Sequence, residues 1–329
     1  RKFDKDVMVV RVPSHRVDVT RDVDLIEEVA RMHNYNRIPS TMPKILPSRI
    51  PISGIDTIVE DVRDAMTSMG FYEAVNYSFI SDQQARQMGS DPEGLPRISN
   101  PLTSAQVVMR PNLLPGLLNA VAFNQKQDEP KVNLFETGKV WFHGSAAGDP
   151  AGEKNDLAFI MAGPRDQHWS SNGRDVDFYD LRGILNSLLA QLGACDNPLD
   201  TQLLPLDESQ IFHPGRSARV NWTGSDIGQL GEIHPDLAVI YDLCGLVYGA
   251  FIDLPVLVAE IDHDSDPGMR QVPRFPASWR DLAVVVDCGI PAGQLLEAVR
   301  DGGGQNLEDA HIFDVYEGER VGKGKKSIA

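Results

Sequence analysis

Apolar and polar positions along this chain change period often enough to predict its elements one by one. From Ile55 to Met69 the apolar residues Ile55, Ile58, Val59, Val62, Ala65, Met66 and Met69 fall three and four apart, the period of a helix with one buried side, and Gly70 follows as a cap. The same period predicts a helix over about 112–125, with Leu113, Leu114, Leu117, Leu118 and Val121 on one side, and another in DFYDLRGILNSLLAQLG, residues 177–193. Leu25, Val29 and Met32 predict a shorter helix over 22–32, beside a second stripe of Asp24, Glu28 and Arg31.

Strand patterns lie between these helices. They cover residues 7–19 with a break at Pro13, FYEAVNYSFI at 71–80, VNLFETGKVWF at 132–142 and DLAFIMAG at 156–163. SARVNWTGSDIGQLGEI, residues 217–233, predicts a hairpin that turns at TGSD. Prolines at 39, 43, 47 and 51 predict an extended linker, and residues 262–276 a polar boundary. After it come a strand at 281–287, a helix at 291–304 and a strand at 310–318. Helices and strands in irregular order predict α+β architecture rather than a doubly wound sheet.

Composition narrows the function classes. With 42% hydrophobic and 24% charged residues, the 329-residue chain is that of a globular protein with two or three domains. It holds no apolar run long enough for a transmembrane helix, and its first residues do not read as a signal peptide. Cys195, Cys244 and Cys288 are too scattered for a disulfide framework or a zinc site. They are expected to be buried neutral thiols in a cytoplasmic protein.

The net charge of −16 is unevenly spread: residues 1–50 carry +3, residues 270–329 carry −1, and the stretch between carries −18. Such a chain repels nucleic acid as a whole, so DNA binding is not expected and any RNA contact must be local.

The densest candidate chemistry is VDVTRDVDLIEEVARMHNYNRIP, residues 17–39. Asp24, Glu27 and Glu28 stand at i, i+3 and i+4 of the predicted helix, and Asp18 lies six residues before it. Oxygen donors in that number suit a hard divalent ion. Acids in a first helical turn also complement the helix dipole, with Thr20 or Asp22 able to cap. Spacing alone leaves both open. A metal-dependent hydrolase at these acids would also need a base, for which only His15 and His33 lie near.

Five blocks occurring in order carry a family resemblance: VPSHRVDVTRDVDLIEEVARMHNYNRIP, MRPNLLPGLLNAVAFNQ, NLFETGKVW, HPGRSARV with IGQLGEIHP, and FPASWRDLAVVVD with FDVYEG and GKKSIA. Together they resemble the beta subunits of bacterial phenylalanine–tRNA ligases, from the middle toward the C-terminus of those chains. The resemblance implies the end of a magnesium-binding α/β domain at 1–50, a catalytic-like class II synthetase module with an antiparallel sheet at 51–268, and a truncated ferredoxin-fold anticodon-binding domain at 269–329. No counterpart of the family's N-terminal editing domains is found.

For the acidic stretch, the resemblance implies a Mg²⁺ site through the pattern D-x5-D-L-x-E-E, matched by Asp18, Asp24, Leu25, Glu27 and Glu28. That site would be shared with an alpha subunit in an (αβ)₂ heterotetramer. Activity would reside in the alpha subunit, which binds ATP. Here Leu134 stands where a class II signature places an arginine two residues before Glu136, and no G-x-G-x3-R follows, so the chain alone is expected to be inactive.

His213, Arg216, Ser217 and Arg219 of HPGRSARV could be read as a base with phosphate clamps, but turn chemistry at Pro214–Gly215 suffices for them. For tRNA(Phe) the candidates are Arg274, Trp279, Arg280, Lys323, Lys325 and Lys326, which offer charge for phosphates and a ring for stacking. The apolar stripes at 55–69 and 112–125 are candidate subunit surfaces. The rival is a free-standing synthetase-like binding protein with no ligase partner.

Overall fold

The computed structural model describes residues 2–4, 7–44, 54–142, 151–165, 169–170, 173–192, 201–206, 209–222, 224–261, 275–318 and 320–329. Two compact units divide the chain, Arg1–Pro51 and Ile52–Ala329.

In the first unit, β1 (Lys2–Asp4) pairs antiparallel with β2 (Val7–Val9). The strand pattern over 7–19 therefore ends early. Pro13 has no amide hydrogen to give a ladder, and its carbonyl instead accepts from Arg16 N in a turn. Helix α1 (Asp22–His33) follows, and Asn34 ends it at φ 78°, a left-handed conformation that asparagine tolerates better than most residues.

The second unit is built on a seven-stranded sheet. Its elements begin with α2 (Gly54–Ser68), β3 (Tyr72–Glu73), β4 (Phe79–Ile80), α3 (Asp82–Gln87), β5 (Val108–Met109) and α4 (Leu114–Gln125). Two long strands, β6 (Val132–Phe142) and β7 (Gly152–Ala162), precede α5 (Phe178–Gln191). Then come β8 (Thr201–Pro205), β9 (Phe212–Trp222), β10 (Ser225–Ile233), α6 (Pro235–Ile240), β11 (Val247–Asp253) and α7 (Leu254–Glu260). The strand order is β3-β6-β7-β11-β10-β9-β8, antiparallel except for the parallel β3–β6 pair. The expected hairpin is β9–β10, turned at Gly224 with φ 94° and closed by Trp222 opposite Ser225.

Period-two alternation sends the sheet's side chains into two cores. Phe135, Leu157, Phe159, Tyr248, Ala250, Ile252 and Leu230 pack with Ile58, Val62 and Met66 of α2, Leu181 and Leu185 of α5 and Leu257 of α7. Ala158, Ile160, Ala162, Val132, Val247 and Ile233 face the other way, onto Leu114, Leu117, Leu118 and Val121 of α4 and Leu237 of α6. Both apolar stripes offered as subunit surfaces are thus spent on the unit's own core. Burying each leucine-sized side chain contributes about 1.5–3 kcal/mol.

The pattern at 71–80 forms two short strands, β3 and β4, rather than one. Between them Ala74 N still donates to Phe135 O, but Val75 and Tyr77 stand exposed. The last segment forms β12 (Val284–Asp287), α8 (Ala292–Gly303), β13 (Val315–Tyr316) and β14 (Lys325–Ile328), with sheet order β12-β14-β13. The cysteine expectation is corrected at two positions: Cys244 and Cys288 are exposed, while Cys195 lies outside the described residues. Cys244 sits in the turn after α6, where the Gln125 side chain grips its backbone N–H and C=O. Cys288 follows β12 in an exposed turn, where its N–H donates to the Gly324 carbonyl at 2.9 Å.

Candidate functional site

Each acid of the 18–28 stretch has a distinct position. Asp24 acts at the start of α1, where its Oδ2 accepts from the backbone N–H groups of Thr20 and Arg21 at 2.8 and 2.7 Å. Those bonds hold its carboxyl below the usual carboxylate range. Asp18 is gripped by Arg16, with Nε at 3.0 and 3.2 Å and Nη2 at 2.7 Å. The same Nη2 donates to Glu28 Oε1 at 2.7 Å, and Arg31 Nη2 donates to Glu28 Oε2 at 2.5 Å. These charged hydrogen bonds hold Asp18 and Glu28 down to about 2. Glu27 points outward and makes no hydrogen bond or ion pair among the described residues.

The four expected metal ligands therefore do not form a coordination set in this chain. Asp18 and Glu28 share an arginine, Asp24 caps a helix, and Glu27 alone is free. Among the described residues no group of three or more histidine, cysteine or acidic side chains is gathered as a metal ion requires. His15 and His33 are exposed and join no cluster.

On the α4 side of the large sheet, Glu136 is 3% exposed at its side chain and meets Arg110, itself 6% exposed, at 2.6 Å. Asn76 donates to Glu136 twice, from Nδ2 at 2.7 Å and from its backbone N–H at 3.3 Å. Arg110 Nε donates to Lys139 O at 3.1 Å. Two glycines make room: a Cβ at Gly138 would lie 2.5 Å from Arg110 Nη2, and one at Gly116 would lie 2.6 Å from Asn76. Neighbouring Phe135 is fully buried and Leu134 packs on the α4 core. Glu136 is thus locked by the chain itself, and the arginine beside it, Arg110, is buried and committed to Glu136 and the Lys139 carbonyl. Sequence reasoning singled out Glu136 but missed Arg110 and Asn76, which lie in other blocks of the chain.

A second buried carboxylate lies further along the same strands. Asp156 on β7 stands opposite Asp253 on β11, with Lys154 Nζ 2.5 Å from Asp253 Oδ2 and 3.3 Å from Asp156 Oδ1. Burial is the main cause that pushes Asp156 up to about 7, with Asp253 adding to the rise and Lys154 opposing it.

The HPGR cluster is structural. His213 Nδ1 accepts from Gly215 N at 3.0 Å and its carbonyl accepts from Ser217 Oγ at 2.7 Å, so the imidazole is spent within its own turn. Arg216 pairs with the buried Glu232 at 2.9 Å, and Arg219 Nε lies 3.7 Å from Asp226. His234 caps α6 by accepting from Asp236 N at 3.2 Å.

In the C-terminal segment, Trp279 is 75% exposed and meets His311 edge to face, with ring centroids 6.4 Å apart. Arg280 Nη1 donates to the Trp279 carbonyl at 2.7 Å. Lys323, Lys325 and Lys326 make no ion pair among the described residues. Lys325 and Lys326 are consecutive on β14, opposite Asp287 and Val286 of β12, so they point to opposite faces of the small sheet. Arg274 lies outside the described residues.

Three family profiles match this chain in succession. They are "tRNA synthetase B5 domain" at residues 1–35, "Phenylalanyl tRNA synthetase beta chain CLM domain" at 38–254 and "Ferredoxin-fold anticodon binding domain" at 273–329. The chain belongs to the phenylalanyl-tRNA synthetase beta-chain family. Similar curated relatives are the phenylalanine–tRNA ligase beta subunits of Vibrio parahaemolyticus, 34% identical over 98% of this chain, and of Moorella thermoacetica, 36% identical over 97%. The chain spans about 40% of the length of these relatives. A solved structure, that of Desulfitobacterium hafniense PylSc, a pyrrolysyl tRNA synthetase, aligns with 62% of this chain and 65% of its own at 13% identity and a TM-score of 0.47. At that score the likeness does not fix a fold. Among the described residues no helix is long and apolar enough to cross a membrane.

Proposed function

We propose that this chain serves as the noncatalytic beta part of a phenylalanine–tRNA ligase, a cytoplasmic assembly that joins phenylalanine to tRNA(Phe) at the expense of ATP. The observation that carries this reading is the ordered succession of the three family matches over nearly the whole chain. The seven-stranded sheet is read as a class II synthetase-like module, with chemistry left to an alpha subunit in an (αβ)₂ heterotetramer. Leu134 in the place of an arginine and a Glu136 closed by Arg110 and Asn76 support that division of labour. ATP and phenylalanine would bind the alpha subunit.

The Mg²⁺ site belongs to this proposal only in the assembled state. A hard ion suits carboxylate donors, but only Glu27 is free to turn its oxygens toward another chain. The alpha subunit would have to supply the remaining donors, and Asp18, Asp24 and Glu28 would have to give up present partners to join. Trp279, which is exposed, and Lys323, Lys325 and Lys326, which make no ion pair among the described residues, are the proposed tRNA contacts.

Mixing this chain with an alpha subunit tests the proposal. Light scattering after size exclusion should show a complex, and only the complex should charge tRNA(Phe). A chain that forms no complex with its missing neighbours restored, or that charges tRNA alone, defeats it. Failure to associate would favour a free-standing binding protein.

A further inference from the structure

Two carboxylates share one lysine on the α4 side of the large sheet. Asp156 and Asp253 are direct cross-strand partners, a position where like charges oppose each other. Lys154 Nζ donates to Asp253 Oδ2 at 2.5 Å and lies 3.3 Å from Asp156 Oδ1 without the alignment of a hydrogen bond. The pairing is lopsided: Asp253 holds the lysine, and Asp156, 4% exposed, is the poorly compensated acid. On β6 the residue opposite Asp156 is Gly138, and the Arg110 guanidinium beside it is committed to Glu136. Helix α4 carries no ionisable side chain, and α7 carries only Glu260 at its far end, which accepts from Ser225 Oγ. Asp253 has a second task as well. Its Oδ1 accepts from Val256 N at 3.0 Å and so caps α7, which packs Leu257 against Ile58 and Val62 of α2.

We propose that this triad is a pH-sensitive switch at the start of α7: Lys154 pairs with Asp253 while Asp156 holds a proton, and turns to Asp156 when that proton leaves to water. A neutral Asp156 makes little demand on the ammonium. Burial, reinforced by the charge of Asp253, keeps the proton in place up to about pH 7. Once ionised, a buried carboxylate without an aligned donor is costly, and Lys154 is the nearest group able to supply one. Asp253 is then left to the α7 cap alone. Relieved of the ammonium, its carboxylate becomes the stronger acceptor for Val256 N. The inference concerns the chain's own residues and does not depend on the assembly proposed above.

The amide signal of Val256, followed by ¹⁵N–¹H NMR of the whole chain from about pH 5 to about pH 8, tests the switch. In wild type it should move downfield with a midpoint near about 7, where Asp156 releases its proton. Asp156→Asn, which cannot ionise, should abolish that movement. Lys154→Met separates the switch from a direct effect of the Asp156 charge. With no lysine to transfer, the Asp156 carboxyl ¹³C signal should still titrate, at a higher midpoint, while Val256 no longer follows it. The wild-type titration and Lys154→Met suffice should Asp156→Asn fail to fold. A Val256 signal that stays put in wild type, or that moves equally in wild type and Lys154→Met, would overturn the proposal.

Discussion

Arg110 and Glu136 meet at 2.6 Å with almost no water contact, joining the approach to α4 to the middle of β6. A buried pair of this kind is weak evidence for net stability, since desolvation offsets much of the attraction. Breaking it is another matter, because the remaining charge stays buried and unpaired. Glu136→Gln or Arg110→Met should cost about 3–5 kcal/mol in urea denaturation, whereas Arg110→Met with Glu136→Leu should recover most of that loss. A Glu136→Gln cost below about 1 kcal/mol would show that the pair is not structural.

Gly138 tests the same network from the backbone side. Its missing Cβ leaves the space that Arg110 Nη2 fills, so alanine there forces the guanidinium to move. Gly138→Ala should destabilise by about 1–3 kcal/mol, as overpacking does. In the Arg110→Met background that cost should shrink. Equal costs in both backgrounds would mean that Arg110 is not the group displaced.

Asp156 gives the sheet a pH dependence of definite sign. Its folded pKa is raised from 3.8 to about 7, chiefly by burial, so the folded state holds the proton more tightly than the unfolded chain. Its contribution is fully present below about 4 and is lost as pH rises through about 7. Stability measured by denaturant between pH 5 and 8 should therefore carry a downward component, worth a few kcal/mol at most. Asp156→Asn, which cannot ionise, should remove that component. An unchanged pH profile in Asp156→Asn would place the dependence elsewhere.

Much of this architecture was legible in the sequence because local chemistry and tertiary packing agree. The stripe Ile58, Val62, Ala65 and Met66 forms α2, and Gly70 follows it at φ 85°. The pairing at TGSD was equally plain, since a glycine with positive φ closes the hairpin. What stayed hidden depends on contacts distant in sequence. Asn76, Arg110 and Glu136 belong to three blocks, and nothing local says that they converge. The acidic stretch shows the same limit. Its spacing allowed a metal site or a helix start, and the structure assigns Asp24 to the helix start. It gives Asp18 and Glu28 to Arg16, a residue the spacing never singled out.

The basic residues of the C-terminal segment yield a prediction that separates them. Lys326 shares a face of β14 with the buried Ile328, whereas Lys325 points the other way and is exposed, as is Lys323. A phosphate backbone crossing the exposed face of this sheet can engage Lys325 but cannot reach Lys326 equally. Measured on the assembled ligase with tRNA(Phe), Lys325→Gln should weaken binding and flatten its salt dependence by about 0.7–0.9 in log–log slope, the value of one lost phosphate contact. Lys326→Gln should leave the slope nearly unchanged. Trp279→Ala should weaken binding by about 1–3 kcal/mol with no change of slope if its ring stacks on a base, because stacking releases no counterions. Equal slopes and equal affinities for all three variants and wild type would remove this surface from the tRNA interface.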